Sequence, residues 1–115
     1  MAVLALLVTA PAAQTMPPQF NITIESGAPY FLPAEVTVMF GASVQWENPT
    51  PAYHTITHDA CVMAEPCLFD SGSIAPDKTY TLQGLTPGRY PYHCRLHPIM
   101  RGVLKVVDPM QPSLN

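Results

Sequence analysis

Fourteen prolines and six glycines divide this chain of 115 residues into short runs. Proline fixes φ and removes a backbone donor, so a chain punctuated this often has little room for long helices. The runs between the breaks are rich in Val, Ile, Thr, Tyr and Phe, which suit a pleated, half-buried surface. Strands are expected over 19–25, over two short segments within 27–40, and over 43–48, 53–58, 78–83, 88–94 and 102–108. Val44 and Trp46 fall on one face of their strand. Tyr90, Tyr92 and Cys94 share a face of theirs, with Arg89 and His93 on the other. Residues 59–76 read as a long loop with a turn at Asp70, Ser71 and Gly72. Seven or eight short strands, with no amphipathic helix of useful length and no internal repeat, indicate one all-β sandwich domain.

Only 11% of the residues are charged, too few for a solvated, disordered chain. The net charge of −3 is unevenly spread: before position 78 there are seven acidic residues and no Lys or Arg. All five basic residues come later, with Asp108 alone against them. Five are too few for a nucleic-acid footprint, so no nucleic-acid partner is expected. The apolar run 2–8, followed by Ala10, Ala12 and Ala13, has the pattern of a secretory signal without its usual basic start. It is too short to span a bilayer, so no stable membrane insertion is expected. On this reading 1–13 are a signal-peptide remnant, 14–18 a linker, 19–108 the folded domain and 109–115 a C-terminal tail.

Three cysteines allow one disulfide in an oxidising compartment and leave one thiol. Cys61 and Cys67 are the natural pair, and closing so small a loop stabilises by about 2 kcal/mol. Cys94 remains, in PYHCRLHPIM at 91–100, where Cys94, His97 and Met100 recur with two residues between each. Thiolate, imidazole and thioether together are a soft ligand set suited to copper. Zinc takes the first two readily, but a thioether is an unusual zinc ligand. A further ligand must come from His54, His58 or His93. His93 adjoins Cys94 in a strand and therefore points to the opposite face. His54 and His58 share a face but lie about 13 Å apart in an extended strand, so only one can reach the site. His54, at its strand's start just after Pro49 and Pro51, can lie at the same end of the sandwich as the 94–100 loop. Two imidazoles, a thiolate and a weak axial thioether make a blue-copper electron-transfer set for one type 1 ion. With every position filled by protein, no place is left for substrate, so an electron carrier and not an enzyme is expected. His58, Cys61, Met63 and Cys67 form a second soft cluster. It reads either as a disulfide-stapled loop or as the site of a copper chaperone or storage protein.

At these residues the chain resembles the cupredoxins, over about 20–108. FLPAEVTVMFGASVQWEN resembles the family's second and third strands, FDSGSIAPDKTYTL its DSG turn and the strand after it, and GRYPYHC its G-x-Y-x-Y-x-C strand. The two-residue gap between His97 and Met100 resembles the short loop of the amicyanin type. The resemblance implies an eight-stranded Greek-key sandwich, a periplasmic one-electron carrier, and copper held by His54, Cys94, His97 and Met100. This chain departs from the pattern in three places. Thr55 stands where amicyanins have an asparagine that ties the two ligand loops together. Leu96 stands where the family has proline, and its extra N–H, if aimed at the Cys94 sulfur, would draw charge off the thiolate. The segment bearing Cys61 and Cys67 is an addition. His97 is expected at the surface among Pro51, Ala52, Pro98 and Ile99. Arg95, Arg101 and Lys105 nearby suggest redox donor and acceptor proteins with an acidic docking patch, met by a monomer.

Overall fold

The computed structural model describes residues 19–110; the expected signal remnant, the linker and residues 111–115 lie outside the described residues. Eight strands form: β1 (Gln19–Ile24), β2 (Phe31–Leu32), β3 (Glu35–Met39), β4 (Ser43–Glu47), β5 (Thr57–His58), β6 (Thr79–Leu82), β7 (Gly88–His93) and β8 (Arg101–Val107). They make two four-stranded sheets, ordered β2-β1-β4-β6 and β3-β8-β7-β5. β1 runs parallel to β4 and β3 parallel to β8, while the other neighbours are antiparallel. Parallel neighbours cannot be joined by a hairpin, so the chain crosses between the sheets, as a Greek-key sandwich requires.

Alternation fills the space between the sheets. Val36 and Val38 of β3, Val44 and Trp46 of β4, Tyr90 and Tyr92 of β7, and Leu104 and Val106 of β8 all turn inward. Trp46 is the centre of this core. Its ring meets Tyr92 edge-on at 5.5 Å, and its Nε1–H donates to the Tyr92 hydroxyl at 3.2 Å, bridging the two sheets. Phe31 also packs edge-on with Tyr92, at 5.0 Å. Each such side chain contributes about 1.5–3 kcal/mol by leaving water. Gly102 lies opposite Tyr92 in the β7–β8 register. A Cβ at Gly102 would sit 2.4 Å from the Tyr92 ring, so only glycine lets the phenol reach Trp46.

The structure departs from the expected strands in two places. The run 53–58 is not a strand throughout: only Thr57–His58 pairs with β7, and His54 makes a single bridge to Ile74. Pro49 and Pro51 remove donors just upstream, and side chains replace the missing ladder, as described below. The loop 59–76 is more ordered than expected. It starts with a 3₁₀ turn, Asp59–Val62, and returns to pair Asp70 with Thr57 and Ile74 with His54. Among the described residues no helix is long and apolar enough to cross a membrane.

Candidate metal centre

β7 delivers Cys94 at its end, with the side chain continuing the inward face of Tyr90 and Tyr92. The chain turns through 94–100 and enters β8. Two backbone bonds brace this loop: Cys94 N–H donates to Met100 O at 3.1 Å, and Met100 N–H donates to His97 O at 2.9 Å. Cys94 and Met100 are buried in the same apolar cluster, whereas His97 is exposed.

His54 comes from the irregular arm between β4 and β5. Its ring lies 5.0 Å from that of His97, centroid to centroid. The donor atoms of His54, Cys94 and His97 all lie within 4.8 Å of one another. Cys94 Sγ is 3.9 Å from His54 Nδ1 and 3.7 Å from His97 Nδ1. Bonds of about 2.0 Å to nitrogen and about 2.3 Å to thiolate, at trigonal angles, put N and S about 3.7 Å apart. Both sulfur–nitrogen spacings therefore match ligation of one ion, and the two imidazole nitrogens lie within 4.8 Å of each other. Burial, and secondarily the neighbouring His97, hold His54 below the ordinary imidazole value, which favours the neutral form a ligand needs.

A network of polar side chains holds the arm. The buried Asn48 donates through Nδ2 to Ala52 O at 2.9 Å and Ile74 O at 3.0 Å. Its Oδ1 meets the Thr50 hydroxyl at 2.7 Å, and that hydroxyl lies 2.9 Å from His54 Nε2. Thr55 does work that the resemblance assigned to asparagine. Its N–H donates to Cys94 Sγ at 3.3 Å, and its hydroxyl accepts the Arg95 N–H at 2.8 Å. The tie continues through Thr57, 2.9 Å from the Thr55 hydroxyl, to Asp70 Oδ1 at 3.1 Å. Asp70 Oδ2 closes the ring by accepting from the Arg95 guanidinium at 2.8 Å. The N–H on the Cys94 sulfur is thus that of Thr55; among the described residues, Leu96 makes no such bond. Asn48, Thr50, Thr57 and Asp70 are the site residues that sequence reasoning missed. The available signal was Asn and Thr interleaved with proline in NPTP, a pattern in which side chains bond the backbone.

The other expected groups fall elsewhere. His93 does point to the opposite face, yet it is buried there, with Nδ1 2.6 Å from Asp59. His58 stacks on Phe69 at 5.0 Å and accepts the Leu68 N–H. Cys61 and Cys67 are joined in a disulfide, so their sulfurs are not thiolate ligands for a second site. The expected basic patch is not free. Arg95 pairs with Asp70, and Arg101 with Asp59. Acidic and basic residues separated in sequence thus meet in space, and each of these two exposed arginines has a carboxylate beside it.

This sandwich and this donor cluster define the class. The chain matches the cupredoxin-like domain family over residues 1–106 and belongs to that family. It is similar to a chloroplastic plastocyanin of Tetradesmus obliquus, 38% identical over 78 residues, covering 64% of this chain and 54% of that protein. It is also similar to an amicyanin of Paracoccus versutus, 31% identical over 72 residues, covering 63% of this chain and 54% of the other. The chain thus spans about half the length of the curated relatives it matches. Among solved structures, the Cu(I) form of a mutant amicyanin aligns with TM-score 0.64 at 26% identity, covering 83% of this chain and 88% of that one. A purple cupredoxin from Nitrosopumilus maritimus shares the fold, with TM-score 0.66 at 23% identity, over 76% of this chain and 99% of the other.

Proposed function

We propose that this protein is a one-electron carrier in which His54 Nδ1, His97 Nδ1, Cys94 Sγ and, more weakly, Met100 would hold a single type 1 copper ion. The observation that carries this reading is the convergence of two imidazole nitrogens on one buried thiol, at 3.9 and 3.7 Å. Bound there, copper would supply a Cu(II)/Cu(I) couple. The chain's own residues do the rest. The Thr55 N–H donates to the sulfur, and the apolar shell keeps water away from it. The braced loop and the tied arm hold the ligands still, so that little need move when the charge changes. His97 is exposed, and beside it in the loop Leu96, Pro98 and Ile99 form an apolar surface on which a redox partner can dock. The disulfide supports function in an oxidising compartment outside the cytoplasm, and the Cys61–Cys67 pairing argues against storage or delivery of copper from that loop. Voltammetry of the copper-loaded protein tests the reading. A reversible one-electron wave, with the copper retained against a Cu(I) acceptor protein, is expected. An irreversible wave, or ready surrender of the ion, would point to delivery instead.

A further inference from the structure

We propose that Asn48, acting through Thr50, sets the tautomer of His54, so that a bare Nδ1 lone pair faces the Cys94 sulfur before any metal arrives. Both hydrogens of the Asn48 amide are committed, one to Ala52 O at 2.9 Å and one to Ile74 O at 3.0 Å. Flipping the amide would set its oxygen against those two carbonyl oxygens and its NH₂ against the Thr50 N–H, which now donates to Oδ1 at 3.1 Å. The amide orientation is therefore fixed, and Oδ1 can only accept. Thr50 Oγ1 lies 2.7 Å from that oxygen, a distance that two oxygens hold only with a proton between them. Only Thr50 has one to give. A hydroxyl has a single donor and two acceptor lone pairs. One lone pair takes the Ala52 N–H at 3.3 Å. The other faces His54 Nε2 at 2.9 Å, so Nε2 must carry the proton. The longer contact from Thr50 Oγ1 to Ala52 O, 3.2 Å, then goes without a hydrogen. A neutral imidazole protonated on Nε2 has its free lone pair on Nδ1, the atom 3.9 Å from Cys94 Sγ. All three residues are buried, Asn48 at 1% exposure, so water does not compete for these bonds.

Thr50 and Asn48 are thus positioning residues: they touch no ion, and they orient the group that would. The inference deepens the copper reading, but its first test needs no copper. Ring ¹⁵N shifts of His54 in the metal-free protein report which nitrogen carries hydrogen. Wild type is expected as the Nε2–H tautomer. Thr50→Val keeps the shape and removes the acceptor, leaving a buried Nε2–H unpaired, and a substantial Nδ1–H population should appear. Thr50→Ser should restore the wild-type pattern. An Nδ1–H wild type, or a Thr50→Val variant that stays wholly Nε2–H, overturns the proposal. The wild-type spectrum decides alone if Thr50→Val fails to fold. In a second arm, copper affinity should fall about 10–100-fold in Thr50→Val and recover in Thr50→Ser. An affinity unchanged by Thr50→Val counts against the proposal. A wild type with the expected tautomer that takes up no copper would refute the copper reading and leave this one standing.

Discussion

The 94–100 loop and the 48–58 arm bring candidate ligands to the same point by different means. The loop is local: Cys94, His97 and Met100 lie within seven residues, braced by two backbone bonds and seated between two long antiparallel strands. The arm has almost no ladder. His54 is placed by the side chains of Asn48 and Thr50, and Thr55 and Thr57 tie the arm to Arg95 and Asp70. The difference teaches that a loop between two paired strands draws much of its bracing from the backbone, whereas a residue on an irregular segment depends on polar side chains being satisfied. In a buried place that requirement is strict, since an unpaired polar group there costs more than its bond contributes.

The largest effect should come from breaking the support beneath the loop. Gly102→Ala drives a methyl into the Tyr92 ring and must displace it from the Trp46 N–H. A loss of about 3 kcal/mol or more is expected, read as a lower urea midpoint with unchanged slope. A near-neutral result would show that the core is loose enough to absorb the methyl.

Next in size is the tie between the two halves. Thr55→Val removes the hydroxyl that accepts the Arg95 N–H and leaves that donor unpaired. The expected cost is about 1–3 kcal/mol, with Thr55→Ser close to wild type. Equal stability of the Val variant would mean that the arm and the loop are held together by packing alone.

The smallest effect concerns the outer link of the same tie. Burial raises the Asp70 pKa, but the Gly72 N–H, Arg95 and Thr57 together outweigh it, and the carboxyl titrates below its ordinary 3.8. A lowered folded-state pKa contributes stability that is full above the ordinary value and is lost as pH falls through the lowered one. Wild type should therefore lose stability in acid below about pH 4 through this group. Asp70→Asn should show a shallower loss there, while costing little at neutral pH because the Arg95 pair is partly solvated. Identical acid profiles would remove Asp70 from the tie.

How much of this the sequence reveals follows from the same contrast. C-x-x-H-x-x-M is legible because its meaning is local, and the inward face of Tyr90, Tyr92 and Cys94 follows from strand alternation. His54 could be selected by position, although the strand expected around it reduces to one bridge and a two-residue pairing. The ion pairs were not legible. Asp70 lies 25 residues from Arg95, and Asp59 lies 42 from Arg101, and no periodicity links them. Thr55 in place of asparagine signalled a change without saying that a hydroxyl and a second threonine would fill the role. The Leu96 N–H was a candidate donor to the sulfur, and the Thr55 N–H holds that place because the arm runs alongside Cys94.

The central claim is that the loop thiolate and the arm imidazole meet on one copper ion, and the visible spectrum of the copper-loaded protein tests it most directly, alongside Cys94→Ser and His54→Gln. Wild type should show an intense thiolate-to-copper charge-transfer band. Cys94→Ser should lose it while the metal-free fold persists, and His54→Gln should lose or markedly shift it. A Cys94→Ser variant that stays blue, or a His54→Gln spectrum indistinguishable from wild type, would contradict the claim.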